Sequence, residues 1–175
     1  MATTQRTVSK VIIRAPIQKV WDALTQSGVE LPFFFGSVMH TTGLKPGAPL
    51  RMRTPDGKYT GVVGDILVCE PPYRFAHTFK FTHLDDPVCR VTYELKEVEG
   101  GTEFVLISDE VPVGTKTAKA MAQGNVFITE TLKGLLETGK PPFGKRLILG
   151  IIALTRGLSP KASLSEHWPF ERRIS

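Results

Sequence analysis

Hydrophobic and polar positions change rhythm several times along the chain, and each change marks an element. "TVSKVIIRAP" (Thr7 to Pro16) has strand composition and ends at a proline suited to a first helical turn. "IQKVWDALTQ" then sets Val20, Trp21 and Leu24 at helical spacing, which predicts a short helix with one buried face, broken at Ser27-Gly28. A second short helix or turn, "VELPFFFG", stops at Gly36. From Val38 to Val111 the signals are those of strands and hairpins. Pro55-Asp56-Gly57 separates "PLRMRT" from "KYTGVVGDILVCE", and Glu70-Pro71-Pro72 ends that strand. Asp85-Asp86-Pro87 and Glu99-Gly100-Gly101 divide three more. The expectation is an antiparallel meander of about five strands plus the N-terminal one, about six in all.

Between Gly114 and Gly139 the period becomes helical. Ala118, Met121, Asn125, Ile128, Leu132 and Leu135 recur every three or four residues, and Gly139 with Pro141-Pro142 supplies the stop. A meander, a short helix and one long helix bury their apolar faces together if the sheet curls around the long helix. That is an α+β arrangement with the helices on one face. Residues 1–140 read as one domain and residues 141–175 as a C-terminal extension packing on that domain or on a partner.

Three consecutive phenylalanines, Phe33, Phe34 and Phe35, cannot all point one way from a regular element, because neighbouring side chains diverge in both strand and helix. "YRFAHTFKFTH" is the best alternation in the chain. It sends Tyr73, Phe75, His77, Phe79, Phe81 and His83 to one face and Arg74, Ala76, Thr78, Lys80 and Thr82 to the other. The first face is mostly aromatic, so it is expected to look inward.

Charge alters this picture at one end only. The net charge is +5, and from Pro141 onward six cations face two acids, a surplus of four that leaves the body near neutrality. A body of that kind lacks the basic stripe of a nucleic-acid binder. The start "MATTQRTVSK" has no apolar run of the secretory kind, which makes a cytoplasmic setting the default. Cys69 and Cys89 read as reduced, buried thiols without metal-ligand spacing, and no metal or cofactor motif is found.

Within the extension, "GKRLILGIIALTRGLSP" holds eight non-polar residues, Leu147 to Leu154, between Lys145-Arg146 and Arg156. About 20 apolar residues are needed to span a bilayer, so this run is too short. It must nevertheless be covered, by its own domain, by a second subunit, or by a membrane surface met through residues 145–158. "SLSEHWPFERRIS" carries Trp168 and Phe170 among charges and is expected to dock as an arm.

Four motifs in order, "IRAPIQKVWDALT", "GDILVCEPPYRFAHTF", "GGTEFVLISDEVP" and "LKGLLETGK", resemble the START-like (SRPBCC) superfamily. Within it they are similar to the branch of the activator of the heat-shock-protein-ninety ATPase. The resemblance covers roughly residues 7–140 and implies the helix-grip fold, a curved sheet gripping the long helix around an apolar cavity. It implies ligands such as lipids, hormones or polyketides in many members, cyclisation or hydrolysis in a few, and chaperone partnership in others. The chain departs from the pattern where members often carry tryptophan, in "LPFFFG" and at Gly124-Asn125. By the same resemblance, some of the three phenylalanines sit at the mouth of the cavity and another packs under the first helix.

The candidate cavity set is Phe33, Phe34, Phe35, Phe75, His77, Phe79, Phe81, Tyr93, Met121, Asn125, Ile128 and Leu132. Two readings of His77 stand: a ligand-binding or general-base imidazole, or a buried histidine bonded to a neighbouring strand. Asn125 likewise meets either bound water or ligand, or a side chain of the sheet. No nucleophile elbow, phosphate loop, zinc motif or paired acids mark a catalytic set. A binding or carrier module for a small apolar molecule leads. An enzyme acting on a hydrophobic substrate with His77 as base, and a chaperone-cofactor or dimerising module, remain beside it.

Overall fold

The computed structural model describes residues 3–174; Met1 and Ala2, and Ser175, which end the two stretches drawn above, lie outside it. Eight strands form one antiparallel sheet: β1 (Thr4–Ile13), β2 (Glu30–Leu31), β3 (Ser37–Thr41), β4 (Pro49–Arg53), β5 (Thr60–Glu70), β6 (Arg74–Phe81), β7 (Cys89–Val98) and β8 (Gly101–Pro112). Their order is β1-β8-β7-β6-β5-β4-β3-β2. The sheet is strongly curled. The expected count of about six falls short by the two strands β2 and β3, of two and five residues, too few to show a clear period.

Helix α1 (Ile17–Thr25) follows β1 and buries Ile17, Val20, Trp21, Leu24 and Thr25, the face its spacing predicts. Its Trp21 meets Phe75 edge-on with ring centres 6.5 Å apart. The expected second helix is a single 3-10 turn, Pro32–Phe34, ended by Phe35 in the left-handed region at φ 58°. That reversal lets the chain turn back into β3, with β2 and β3 pairing Glu30 to Val38.

Helix α2 (Lys116–Thr138) lies against β1, β8 and the 3-10 turn. The Thr115 hydroxyl accepts from the Ala118 amide at 3.1 Å, a cap of about 1 kcal/mol. Gly139 closes the helix at φ 79°, donating its N–H to Leu135 O. Of the predicted stripe, Ala118, Met121, Asn125 and Leu132 are buried, and Ile128 and Leu135 are half-buried.

The curl has a local cause at Gly64. A Cβ built there would lie 1.9 Å from the Thr78 carbonyl oxygen, so only glycine permits β5 and β6 to approach this closely. A register shift between Ile66 and Val68 adds a bulge in the same strand pair, and bulges increase local twist.

Residues 141–174 pack against the body in two places. Helix α3 (Phe143–Thr155) has no buried residue. It is tied at its start by Lys145 to Glu130 of α2 at 2.8 Å, and just past its end by Arg156 to Glu30 of β2 at 2.7 Å. The following segment then docks on the outer face of β4 and β5. Leu164 bridges Tyr59, Ser165 Oγ lies 2.9 Å from Thr60 Oγ1, and Ser163 Oγ lies 2.8 Å from Thr82 Oγ1. Trp168 is buried there, with Nε1 donating to Ala162 O at 2.8 Å.

At the centre of that contact stands Arg51, fully buried. All five of its N–H groups donate to backbone carbonyls. Nη1 serves Leu50 O and Gly64 O at 3.0 and 3.2 Å. Nε serves Trp168 O at 3.2 Å, and Nη2 serves Pro169 O and Arg172 O at 3.0 and 2.9 Å. Burial pulls its pKa down and the nearby Asp65 partly opposes this, yet a guanidinium keeps its charge in proteins.

Candidate functional site

Between the concave face of the sheet and α2 lies a cavity of about 520 Å³. Its walls follow from strand alternation. On β6, Phe75, His77, Phe79 and Phe81 face it; Val91 and Tyr93 on β7 and Leu106 on β8 continue the wall. Met39 of β3, Leu50 and Met52 of β4 and Val62 of β5 complete it on the far side. From α2 come Met121, Gly124, Asn125, Phe127 and Ile128, and from α3 Lys145 and Ile148. The exposed Gln123 and Ile148, with the half-buried Lys145, mark the side where the cavity reaches the surface.

Ten of the twelve residues expected at the cavity line it. Two do not. Phe33 and Leu132 are buried in the core. In the 3-10 turn successive side chains diverge, so Phe33 turns inward, where Phe34 meets it edge-on at 4.7 Å. Leu132 belongs to the same helical stripe as Met121, but lies one turn past Ile128, where the core is closed. Phe34 reaches the cavity and meets Tyr93 at 6.0 Å. Phe35, turned by its left-handed backbone, stacks on Phe127 at 4.2 Å. The alternation on β6 also ends sooner than its sequence implies. Tyr73 and His83 lie outside the strand and are exposed, while Thr82 is buried beneath the extension.

His77 is 5% exposed and surrounded by Phe75, Phe79 and Tyr93, with ring centres 5.7, 6.5 and 5.8 Å away. Its Nδ1 lies 2.7 Å from the Thr78 carbonyl. A carbonyl only accepts, so Nδ1 carries the proton and Nε2 is left as an acceptor. The Tyr93 hydroxyl donates towards Nε2 at 3.4 Å, a long and weak bond. Burial is the main cause that drives the His77 pKa down to about 4, against a small opposing contribution from the Thr78 bond. Burial likewise raises the Tyr93 phenol well above its usual value. At neutral pH the pair is therefore uncharged, one donor beside one acceptor.

Asn125 finds its partners on the sheet: Nδ2 donates to Ser108 Oγ at 3.0 Å and to Thr7 Oγ1 at 3.3 Å. Its amide needs nothing from the cavity it borders. The Met121 sulfur lies 3.4 Å from the Cys89 thiol, which burial pushes up to about 11. Cys89 is buried, Cys69 half-buried, and both are free. Three strand acids face outward in surface pairs: Asp109 with Arg6 at 3.6 Å, Glu110 with Arg90 at 3.3 Å and Glu94 with Arg74 at 3.9 Å. Among the described residues no three His, Cys, Asp or Glu side chains come together as a metal site.

Sequence reasoning missed Met39, Leu50, Met52, Val62 and Phe127. The alternation of "PLRMRT" carried a signal for Leu50 and Met52 on one face. Phe127 sits beside the stripe, not on it, and it faces the cavity because Phe35 stacks there.

A curled antiparallel sheet closed over a long C-terminal helix, with an apolar cavity between, defines the helix-grip class of the START-like superfamily. A family model described as "Activator of Hsp90 ATPase homolog 1-like protein" matches residues 14–137, and the chain belongs to that family. Its fold is similar to that of a protein from Rhizobium leguminosarum at 20% identity, covering 78% of this chain and 97% of that one with a TM-score of 0.63. It is also similar to an Hsp90 activator from Plasmodium falciparum (17% identity, 78% and 97% covered, TM-score 0.61). A third similar structure is DynU16, a protein of the dynemicin biosynthetic locus (24% identity, 79% and 49% covered, TM-score 0.61). None of the curated proteins compared matches the chain.

Proposed function

We propose that the protein binds a small, neutral, hydrophobic molecule in the cavity between sheet and α2. The observation that carries this reading is the cavity itself, about 520 Å³ of mostly apolar wall with one uncharged donor–acceptor pair at His77 and Tyr93. Ligand pockets of roughly 300–1,000 Å³ have this character, apolar throughout with a few polar groups that orient the guest. The guest is neutral for a physical reason. Among the described residues the one cation bordering the space, Lys145, is already paired with Glu130, and a carboxylate beside a buried, neutral imidazole would lack compensation.

The same pair weighs against the enzymatic reading. A general base works best with a pKa near the operating pH. A histidine held at about 4, next to a phenol held too high to act as an acid, suits hydrogen bonding to a hydroxyl or carbonyl better than proton transfer.

The test is fluorescence titration with 1-aminoanthracene, a neutral aromatic probe, on the parent protein and on Ile128→Trp. The larger ring is introduced from α2 into the cavity and is expected to weaken binding about tenfold or more. Saturable binding that Ile128→Trp leaves unchanged would place the probe elsewhere and end the proposal, as would no binding by the parent.

A further inference from the structure

Helix α3 resolves the covering of its apolar run in an uneven way. One side faces the body: Lys145 and Ile148 border the cavity, Leu149 and Ile152 are half-buried, and Arg156, just past its end, is bound to Glu30. The other side is bare. Phe143, Leu147, Ile151 and Leu154 are 76, 62, 56 and 88% exposed, and Leu158, in the 3-10 turn Arg156–Leu158 just past the helix, is 84% exposed. A spacing of four, four and three residues places the four helical ones on one outward stripe. Isolated exposed apolar residues are ordinary, but four large ones in one stripe mark an interaction surface.

The charge around the stripe selects its partner. Between positions 138 and 165 the chain carries Lys140, Lys145, Arg146, Arg156 and Lys161, and no acid. Lys145 and Arg156 are held by Glu130 and Glu30. That leaves three exposed cations: Arg146, which stands 5.5 Å over the Phe143 ring, and Lys140 and Lys161, which flank the apolar residues in sequence. A second copy docked on this stripe would bring cations against cations. A single 13-residue helix, about 20 Å long, also offers much less than the roughly 800 Å² per partner of a standard interface. An anionic lipid surface suits both features, taking apolar side chains at the acyl boundary and cations at the headgroups. The polar face that a lone interfacial helix needs is not required here, because the body of the protein covers that side.

We propose that the outward stripe of α3, flanked by Lys140, Arg146 and Lys161, docks on an anionic bilayer surface. Docking brings the cavity's open side, which α3 borders, to the interface. The proposal rests on the stripe and its charge, whatever the cavity holds.

The experiment is co-flotation of the full chain with phosphatidylcholine vesicles, with and without phosphatidylglycerol. Binding is expected to be about tenfold stronger with phosphatidylglycerol, and to fall severalfold as salt shortens electrostatic reach. Leu147→Asp/Leu154→Asp changes two exposed positions outside the cavity lining and is expected to lower vesicle binding about tenfold or more. Circular dichroism and the 1-aminoanthracene titration should remain at parent values, which separates loss of docking from loss of fold or of cavity binding. Arg146→Glu/Lys161→Glu is the second variant, expected to abolish the preference for phosphatidylglycerol. Vesicle binding that is absent, indifferent to lipid charge, or unaltered in both variants overturns the proposal. So does a dimer in sedimentation equilibrium that Leu147→Asp/Leu154→Asp dissociates while the parent ignores vesicles, since the stripe would then belong to a second copy.

Discussion

His77 and Arg51 stand on opposite faces of one curled sheet, both withdrawn from water, and they meet the cost of burial by different means. On the concave side His77 gives up its charge. Its pKa sits at about 4, one ring nitrogen is bonded at 2.7 Å, and the other has only a loose partner at 3.4 Å. On the convex side Arg51 cannot give up its charge, so the chain brings a carbonyl to each of its five N–H groups, three of them from residues 168–172. The first site keeps spare hydrogen-bonding capacity and the second keeps none. Spare capacity marks a place suited to a guest, and saturation marks a structural latch.

The latch is the more easily broken of the two sites. Arg51→Met keeps most of the apolar stem but removes every donor, leaving five carbonyls to find water. The expected loss is about 3 kcal/mol in urea unfolding. Residues 159–174 should show much faster amide exchange while α2 stays protected. Unchanged exchange in that segment would mean that Trp168 and Phe170 hold it without the guanidinium.

The next effect is pH-dependent. Between pH 6.5 and about 4 the unfolded chain takes up a proton that folded His77 refuses, so stability is complete above 6.5 and declines as pH falls towards 4. The size of that decline is on the order of 3 kcal/mol. His40, also lowered by burial and by Arg53, titrates in the same direction, so the measurement is the difference between parent and His77→Phe. The variant should lose much less stability than the parent between pH 7 and 4.5. Identical pH profiles would contradict a buried, neutral His77.

Tyr93→Phe should have the smallest effect. It removes a bond already 3.4 Å long and is expected to change stability by less than about 1 kcal/mol. A larger loss in thermal unfolding would show the hydroxyl to be a structural partner of His77, and the site to have little spare capacity.

The order of elements was legible because periodicity and turn residues reinforce one another: the α2 stripe, the β6 alternation and the stop at Gly139 all follow from spacing. The latch was not. "PLRMRT" reads as a strand with nothing to single out Arg51, and its partners are backbone carbonyls, three of them more than a hundred residues away, which leave no side-chain signature. The phenylalanine triplet was half legible. Divergent directions follow from any regular geometry, but the left-handed turn at Phe35 decides that Phe34 and Phe35 reach the cavity while Phe33 does not. The run 147–154 was expected to be covered, and its composition carries no sign that one side of α3 stays bare.

Three thioethers, Met39, Met52 and Met121, contribute to the inner wall. Unbranched and polarisable, such side chains reshape at little cost, so a guest of the proposed kind would be sorted by greasiness more than by outline. The same softness brings chemical exposure. Peroxide reaching the interior would turn these sulfurs into sulfoxides and make an apolar wall polar, so tolerance of oxidants becomes a property of this lining.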